Sequence, residues 1–350
     1  MKIGEIIDSA GISNEVLEFK DSGSLLVLPD SGRVLGLFSS ASDENFFWTN
    51  PALDDKASAS AMFTSSKWPN PGGDRTWLAP ESELFIGDLS NPFGTYKVPP
   101  ELDPGKWRIA AEKPFLQIKN KTTLFLRNSQ KKIPLEILKE WRPATNPLRD
   151  CKLGGIVYAG YEQETVLEFA AVRNESAPLL LGIWNLIQLP KPGRMMIPTY
   201  SKTAPLIVFG NISRKKLNTS ANLINWTMDG DDGSAKISVK ACPLTGRAGY
   251  LYRSRRNSCT WNLVIRNFAV NPSGEYIDTP WNDLSDNGYA FQACSVNDGA
   301  VKFNELEYHV PAAASYQARN ISCDLSQLWA FRGSFAKIAK VAQFLLGVQI

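Results

Sequence analysis

Short runs of β-forming residues, separated by turn residues, recur along the chain from Leu17 onward. Leu25–Leu28 and Val34–Phe38 are two such runs, with Asp30-Ser31-Gly32 between them. Runs of four to eight residues bounded by turn formers are typical of strands. Similar runs follow at Thr123–Arg127, Gly155–Tyr161, Thr165–Val172, Leu179–Gln188, Leu206–Phe209, Lys236–Lys240, Tyr250–Arg253, Thr260–Phe268, Tyr289–Ser295 and Lys302–Val310. The pattern predicts an all-β fold, mainly antiparallel.

A few segments are predicted to be helical and peripheral. They are Met1–Ala10, a short piece at Pro134–Trp141, and a C-terminal stretch in which Phe335, Ile338, Val341, Phe344 and Leu345 recur at helical spacing. The Pro/Gly-rich region Trp68–Pro104 is expected to be largely loop. Because no stretch reads as a domain boundary, we expect residues 1–350 to form one domain, with the N-terminal and C-terminal helices packed on it.

The charge balance argues against several partners. The 350 residues include 38 Lys and Arg and 35 Asp and Glu, a net charge of +3 spread along the chain. This lacks the basic footprint of a nucleic-acid-binding protein. No apolar run approaches the roughly 18 residues that cross a bilayer, and Glu5 and Asp8 stand where a signal peptide would be apolar. We expect a cytoplasmic protein without nucleic-acid or membrane partners.

Motifs for metals and cofactors are missing from the sequence. The five cysteines are far apart, odd in number and never spaced as Cys-x-x-Cys, which argues against disulfides and a zinc site. They are expected to be isolated, buried or half-buried thiols. A single histidine and the lack of nucleotide-binding, zinc-protease and serine-hydrolase motifs argue against those enzyme classes. No cofactor or metal is expected.

One predicted strand has a titratable face and an apolar face. Because side chains alternate along a strand, Phe303, Glu305, Glu307 and His309 share one face. Neighbours on a face lie ~7 Å apart, so Glu307 and His309 are close enough to influence each other's protonation and to act on one ligand. The alternative interpretation is a solvated face.

A second group of candidate residues lies in the Pro/Gly-rich region. A glycine pair permits a turn, after which Asp74 and Arg75 place charges beside the flat face of Trp77. Arginine and tryptophan in a loop suit a sugar, which offers hydroxyls for polar contacts and C–H faces for stacking. Alternatively, Asp74 and Arg75 pair with each other, or with Glu81 or Glu83, and hold the loop in place.

Three segments carry a family resemblance. They are Asn45–Pro51 (NFFWTNP), Gly72–Glu81 (GGDRTWLAPE) and Phe303–Ala312 (FNELEYHVPA). Their sequences, order and spacing resemble those of a poorly characterised family of bacterial proteins with the galactose-mutarotase-like fold, over roughly Leu17–Ala313. The resemblance implies a large antiparallel supersandwich and a carbohydrate ligand.

The aldose 1-epimerase branch of this fold opens and recloses a sugar ring with a Glu as base and a His as acid. The branch's Glu lies in a Leu-Glu-x-Gln strand followed by Pro, which Leu306-Glu307-Tyr308-His309 and Pro311 resemble. The resemblance therefore implies Glu307 as the general base.

The acid of that branch has no counterpart in this sequence. The branch's His lies in an Asn-His-x-Tyr-Phe-Asn-Leu type segment, and the nearest segment here, Gly182–Gln188, contains no His. His309 occupies the place of the branch's Gln. By their position in the segment, Trp184 and Gln188 are candidate substrate-binding residues, together with Glu305 on the Glu307 face.

Three functions remain open. The first is a carbohydrate-processing isomerase in which His309, Arg75 or Glu81 completes the acid-base pair with Glu307. The second is a non-catalytic sugar-binding protein that has lost the acid. The third is an interaction module, since a fold does not determine a function.

Overall fold

The computed structural model describes residues 2–40, 43–112, 114–170, 179–299, 301–314 and 319–350. The strands within these ranges are β1 (Glu15–Phe19), β2 (Gly23–Leu28), β3 (Arg33–Phe38), β4 (Asp74–Ala79), β5 (Trp107–Ala111), β6 (Gln117–Leu126), β7 (Lys131–Pro143), β8 (Val157–Ala170), β9 (Leu180–Leu189), β10 (Gly193–Pro198), β11 (Leu206–Phe209), β12 (Leu217–Thr219), β13 (Leu223–Met228), β14 (Ala235–Lys240), β15 (Arg247–Arg253), β16 (Thr260–Asn267), β17 (Tyr289–Asp298), β18 (Val301–His309), β19 (Ala313–Ala314) and β20 (Arg319–Ser334). The helices are α1 (Lys2–Ser9), α2 (Lys56–Thr64), α3 (Glu81–Leu84), α4 (Pro92–Thr95) and α5 (Phe335–Leu346), with short 3-10 turns at Pro29–Ser31 and Pro51–Asp54.

The strands form two large sheets. Sheet 1 runs β1-β2-β3-β4-β9-β18-β17-β14-β11, and β19 also pairs with β9. Sheet 2 runs β12-β13-β10-β15-β16-β20-β8-β7-β6-β5. The strand pairings of the described residues are antiparallel. The all-β antiparallel class predicted from the sequence is confirmed.

The main core lies between the sheets, and the longer helices cover outer faces. Ile183 and Leu306 of sheet 1 and Leu167 and Ala330 of sheet 2 belong to one buried apolar cluster. Helix α5 packs on the far side of sheet 2, where Ile338 belongs to a separate cluster. Helices α1 and α2 cover the outer face of β2 and β3. The peripheral positions expected for the terminal helices agree with this arrangement.

Some predicted elements are wrong. Pro134–Trp141 is not a helix but part of β7, in which Ile133, Leu135, Ile137, Lys139 and Trp141 are buried at every second position. This two-residue period is that of a strand. Pro134 pairs only with β6, because the pairing with β8 begins at Leu135. A proline is tolerated in a strand at such a position, where one side has no neighbouring strand.

Two further elements differ from the sequence predictions. The separate strands expected at Gly155–Tyr161 and Thr165–Val172 are one strand, β8, and residues 171–172 lie outside the described residues. Helix α2 (Lys56–Thr64) was not among the helices predicted from the sequence. No helix in the described part of the chain has the length and apolar character that a membrane span requires.

Candidate functional site

The titratable face of β18 lies in the middle of sheet 1 and points away from sheet 2. Tyr308, on the opposite face, donates to Asp324 Oδ2 of sheet 2 at 2.6 Å, and its hydroxyl lies 2.7 Å from that of Ser326. Because side chains alternate along a strand, Glu307 and His309 must face outward. The outer face of this sheet therefore carries the candidate site.

This outer face is covered by chain segments, so the interpretation of a solvated face is wrong. Glu307 is 1% exposed and His309 2% exposed. The segments that cover them bring Glu81 from α3, and Asp278 and Trp281 from the long connection between β16 and β17. The group of Glu81, Lys236, Asp278, Glu307 and His309 is called the Glu307 cluster below.

Glu307 is held through one of its two oxygens. The Trp184 Nε1–H donates to Glu307 Oε2 at 3.1 Å, and Lys236 Nζ lies 3.3 Å from the same oxygen. Glu307 Oε1 is buried without a hydrogen-bond partner among the described residues. Burial raises the pKa of Glu307 to about 7, with a further contribution from Glu305, while Lys236 opposes the shift. The free oxygen is thus suited to accepting a proton near neutrality.

Lys236 links two carboxyl groups of the Glu307 cluster. Its Nζ lies 3.3 Å from Glu307 Oε2 and 3.8 Å from Glu81 Oε2, and 4.7 Å from the ring centroid of Trp184. Burial alone would lower the pKa of Lys236, but Glu307, Glu81 and Asp278 outweigh burial and raise it. Lys236 therefore remains a cation at neutral pH.

Glu81 and Asp278 occupy the covering side of the cluster. Glu81 accepts hydrogen bonds from Trp281 Nε1 at 2.9 Å and from the Tyr96 hydroxyl at 3.0 Å. Asp278 accepts from the backbone N–H of Glu81 at 2.8 Å and from Gln292 Nε2 at 2.9 Å. Burial raises the pKa of both carboxyl groups. One or both can therefore hold a proton where an exposed carboxyl would be ionised.

His309 is a neutral histidine with free nitrogens. Its ring stacks on Trp184 at 5.3 Å and 18°, and its Nε2 lies 3.7 Å from Asp278 Oδ2, beyond hydrogen-bonding distance. Burial and the charge of Lys236 lower the pKa of His309 well below its usual value. Neither ring nitrogen has a hydrogen-bond partner in the described chain. Both nitrogens therefore have hydrogen-bonding capacity that the described chain does not use.

The predicted residues Arg75, Glu305 and Gln188 form a second group on the same face. Arg75 donates to Glu305 Oε1 at 2.8 Å, and Gln188 Nε2 donates to the same oxygen at 3.1 Å. The Arg75 guanidinium also lies 4.2 Å from the ring centroid of Trp77. Trp77 itself is buried and donates to Asp103 Oδ2 at 2.9 Å. This group lies beside Glu307, since Glu305 precedes it by two residues.

Asp74 is not part of the site. Asp74, Arg75 and Trp77 lie on β4, a buried strand between β3 and β9, and not in a loop as expected. Strand alternation turns Asp74 inward, where it bonds to Tyr161 and to Arg266 Nη2 at 3.0 Å. The expected pairing of Asp74 or Arg75 with each other, Glu81 or Glu83 is therefore wrong.

Several residues of the site were missed by sequence reasoning. Lys236 looked like any charged residue at the start of a strand, and Asp278 and Trp281 lie in a connection without periodicity. These residues meet Glu307 only because β14, β17 and β18 are neighbours in sheet 1. No local signal marks such a contact.

A metal ion is disfavoured at this face. Ligand atoms of Cys294, Glu305 and Glu307 lie within 4.8 Å of one another. However, the carboxylates already face the cations Arg75 and Lys236. Burial and the neighbouring Glu305 and Glu307 also raise the pKa of Cys294, so its thiol stays protonated. An added cation would have to displace both positive side chains.

The remaining cysteines differ from expectation. Cys151, Cys242, Cys259 and Cys323 are exposed, and only Cys294 of the five is buried. The prediction of buried or half-buried thiols is thus wrong for four of them. All five are free thiols, which agrees with the argument against a disulfide framework.

The chain matches no protein-family model and no curated protein. Among solved structures, it is similar to the Slr1438 protein from Synechocystis sp. PCC 6803, with a TM-score of 0.50 and 8% identity over 92% of this chain and 96% of that chain. The two chains share a fold. A candidate aldose 1-epimerase from Escherichia coli K12 aligns with a TM-score of 0.46 and 8% identity over 93% of this chain and 100% of that chain. At 8% identity, the likeness to the Slr1438 protein extends to the fold alone.

Proposed function

We propose that the protein binds a carbohydrate on the outer face of sheet 1 and moves protons on it, with Glu307 as general base. The observation that carries this proposal is a buried carboxyl whose pKa is raised to about 7 and whose Oε1 has no partner in the described chain. A general base works best when its pKa lies near the operating pH. The sequence resemblance to the Glu strand of aldose 1-epimerases supports the same residue.

Glu81 is the best partner as general acid. Its raised pKa favours a protonated carboxyl, and Lys236 lies between it and Glu307 at 3.8 and 3.3 Å. Lys236 is less suited to giving up a proton because its pKa is raised. His309, which is neutral, is suited to hydrogen-bonding a sugar hydroxyl. The reaction class is therefore acid-base isomerisation of a sugar, such as ring opening and reclosure.

The test compares Glu307→Gln with wild type and with Glu15→Gln, an exposed residue of β1. Sugars that raise the melting temperature are identified first, since a ligand of the native state stabilises it. Their anomer interconversion is then followed by NMR. Glu307→Gln should lose ~100-fold or more of the rate, the usual contribution of acid-base catalysis, and still bind. Unchanged turnover in Glu307→Gln would remove Glu307 from the mechanism.

A non-catalytic sugar-binding protein is the second candidate. It is favoured by the missing His of Gly182–Gln188 and by Trp184, which occupies one oxygen of Glu307. In that case sugars bind, and no sugar in the panel converts faster than in buffer. Accelerated conversion of any bound sugar would contradict this alternative.

A further inference from the structure

Three aromatic side chains form a surface group beside the Glu307 cluster. The ring centroids of Phe93 and Trp281 are 5.0 Å apart, those of Phe93 and Phe209 5.2 Å, and those of Phe209 and Trp281 5.7 Å. They come from α4, the edge strand β11 and the connection after β16. Phe93 is 64% exposed. The three residues are called the aromatic platform below.

Two links join the platform to the Glu307 cluster. Trp281 Nε1 donates to Glu81 Oε2 at 2.9 Å, so the indole is fixed against the cluster's own carboxyl. Phe209 is the direct cross-strand partner of Lys236 in the pairing of β11 with β14. Such partners lie on the order of 5 Å apart at Cα. The platform therefore lies directly beside the Glu307 cluster.

Phe93 is exposed and Phe209 and Trp281 are half-buried, so the platform offers a partly exposed apolar surface to a ligand. A sugar ring presents C–H groups on its faces and hydroxyls at its edges, so it can stack on a π-face and hydrogen-bond to neighbouring polar groups. A protein partner fits less well, because a stable protein interface takes about 20–30 residues a side and this patch has three rings. Glu307 Oε1 and both His309 nitrogens lie nearby, are buried and have no hydrogen-bond partner among the described residues, which also favours a polyhydroxylated ligand.

We propose that Phe93, Phe209 and Trp281 bind a second sugar unit, so that the ligand is an oligosaccharide or glycoside rather than a single sugar. This inference rests on the proposed function, because it places the first unit at the Glu307 cluster. The Trp281–Glu81 hydrogen bond holds the platform in place before binding, which reduces the entropic cost of association.

The test measures affinity by isothermal titration calorimetry in three series. They are glucose with maltose and maltotriose, glucose with cellobiose and cellotriose, and N-acetylglucosamine with chitobiose and chitotriose. In the series that the protein recognises, the disaccharide should bind roughly 3- to 10-fold more tightly than the single sugar, the gain expected for one aromatic stacking contact. Phe93→Ala and Phe209→Ala should each remove most of this gain. Phe344→Ala, a 56% exposed residue of α5 on sheet 2, is the matched control and should retain it.

The outcomes separate this inference from the proposed function. A single sugar whose conversion depends on Glu307, with no gain in affinity for longer sugars or with a gain that survives Phe93→Ala and Phe209→Ala, would overturn the platform alone. If no sugar of any series binds, the proposed function fails, and the platform inference fails with it. A gain lost in both platform variants and kept in Phe344→Ala supports the inference.

Discussion

At the scale of single residues, the Glu307–Lys236 ion pair is unusual because both pKa values are raised. In a simple ion pair, the pKa of the lysine is raised and the pKa of the glutamate is lowered. Here four carboxyl groups (Glu81, Asp278, Glu305 and Glu307) share two cations, Arg75 and Lys236. The lysine is surrounded by negative charge, while Glu307 is desolvated and repelled by Glu305 and Glu81. An excess of buried acid thus keeps part of the cluster protonated.

This excess predicts that Glu307 makes stability depend on pH below neutrality. Its pKa is about 7 in the folded protein against an ordinary 4.5, so between these values the folded state binds more protons than the unfolded state. The stabilising contribution of Glu307 is present below pH 4.5 and is lost as the pH rises to 7, with a slope of at most about 1.4 kcal/mol per pH unit.

Urea unfolding of wild type and Glu307→Gln at pH 5 and 7.5 measures this contribution. The stability of wild type relative to Glu307→Gln should fall between the two pH values. Equal changes in the two proteins would show that Glu307 keeps an ordinary pKa.

At the scale of elements, α5 shows how one face of a helix is stabilised. Ile338 is fully buried against the outer face of sheet 2, and Phe344 on the same helix is 56% exposed. We predict that Ile338→Ala lowers the free energy of unfolding by about 2–5 kcal/mol, because it removes buried apolar surface and leaves a cavity. Phe344→Ala should change it by less than about 0.5 kcal/mol. The urea midpoints of the two variants compare their stabilities directly. Similar losses of stability in both variants would contradict the packing of α5.

The sequence predicts elements well where the hydrophobic period is clear. The apolar spacing of α5 and the runs at Lys236–Lys240, Tyr289–Ser295 and Lys302–Val310 correspond to a helix and three strands at nearly the predicted positions. Prediction failed in β7, where Lys139 is buried among apolar residues and hides the two-residue period. It also failed in β4, because glycines and prolines flank a strand whose polar residues are buried by tertiary contacts.

The candidate site was predictable on β18 and in part on β4 and β9, but its contacts were not. Glu305, Glu307 and His309 follow from alternation along β18 and from the family resemblance. Their partners come from β9, β14 and the connection after β16, which are distant in sequence and become neighbours through sheet order. Such contacts depend on topology, which local periodicity does not contain.

At the scale of the whole molecule, charged side chains join the two sheets across the core. Arg266 of sheet 2 pairs with Asp74 of sheet 1 at 3.0 Å. Lys139 of β7 donates to the backbone carbonyl of Gly32, between β2 and β3, at 2.8 Å. Burial lowers the pKa of Lys139 to about 7. The interior therefore contains a lysine whose charged form is disfavoured by burial.

Lys139 should make the protein more stable as the pH rises above neutrality. Its pKa is about 7 when folded against an ordinary 10.5, so between these values the folded state binds fewer protons than the unfolded state. Stability then increases with pH in this range by up to about 1.4 kcal/mol per unit. Urea unfolding at pH 7 and 9 should show this rise in wild type, with a smaller rise in Lys139→Met. The same rise in both proteins would assign it to other groups.

The buried thiol of Cys294 offers a way to measure how fast the segments that cover the site open. Four thiols are exposed, whereas Cys294 is 7% exposed beside Glu305 and Glu307, with a raised pKa. A thiol reagent should therefore modify four groups quickly and the fifth only when the cover opens. With the four exposed cysteines replaced by serine, the labelling rate of Cys294 measures that opening. A sugar bound beneath the covering segments should lower the labelling rate of Cys294. This change would report binding without any assay for turnover.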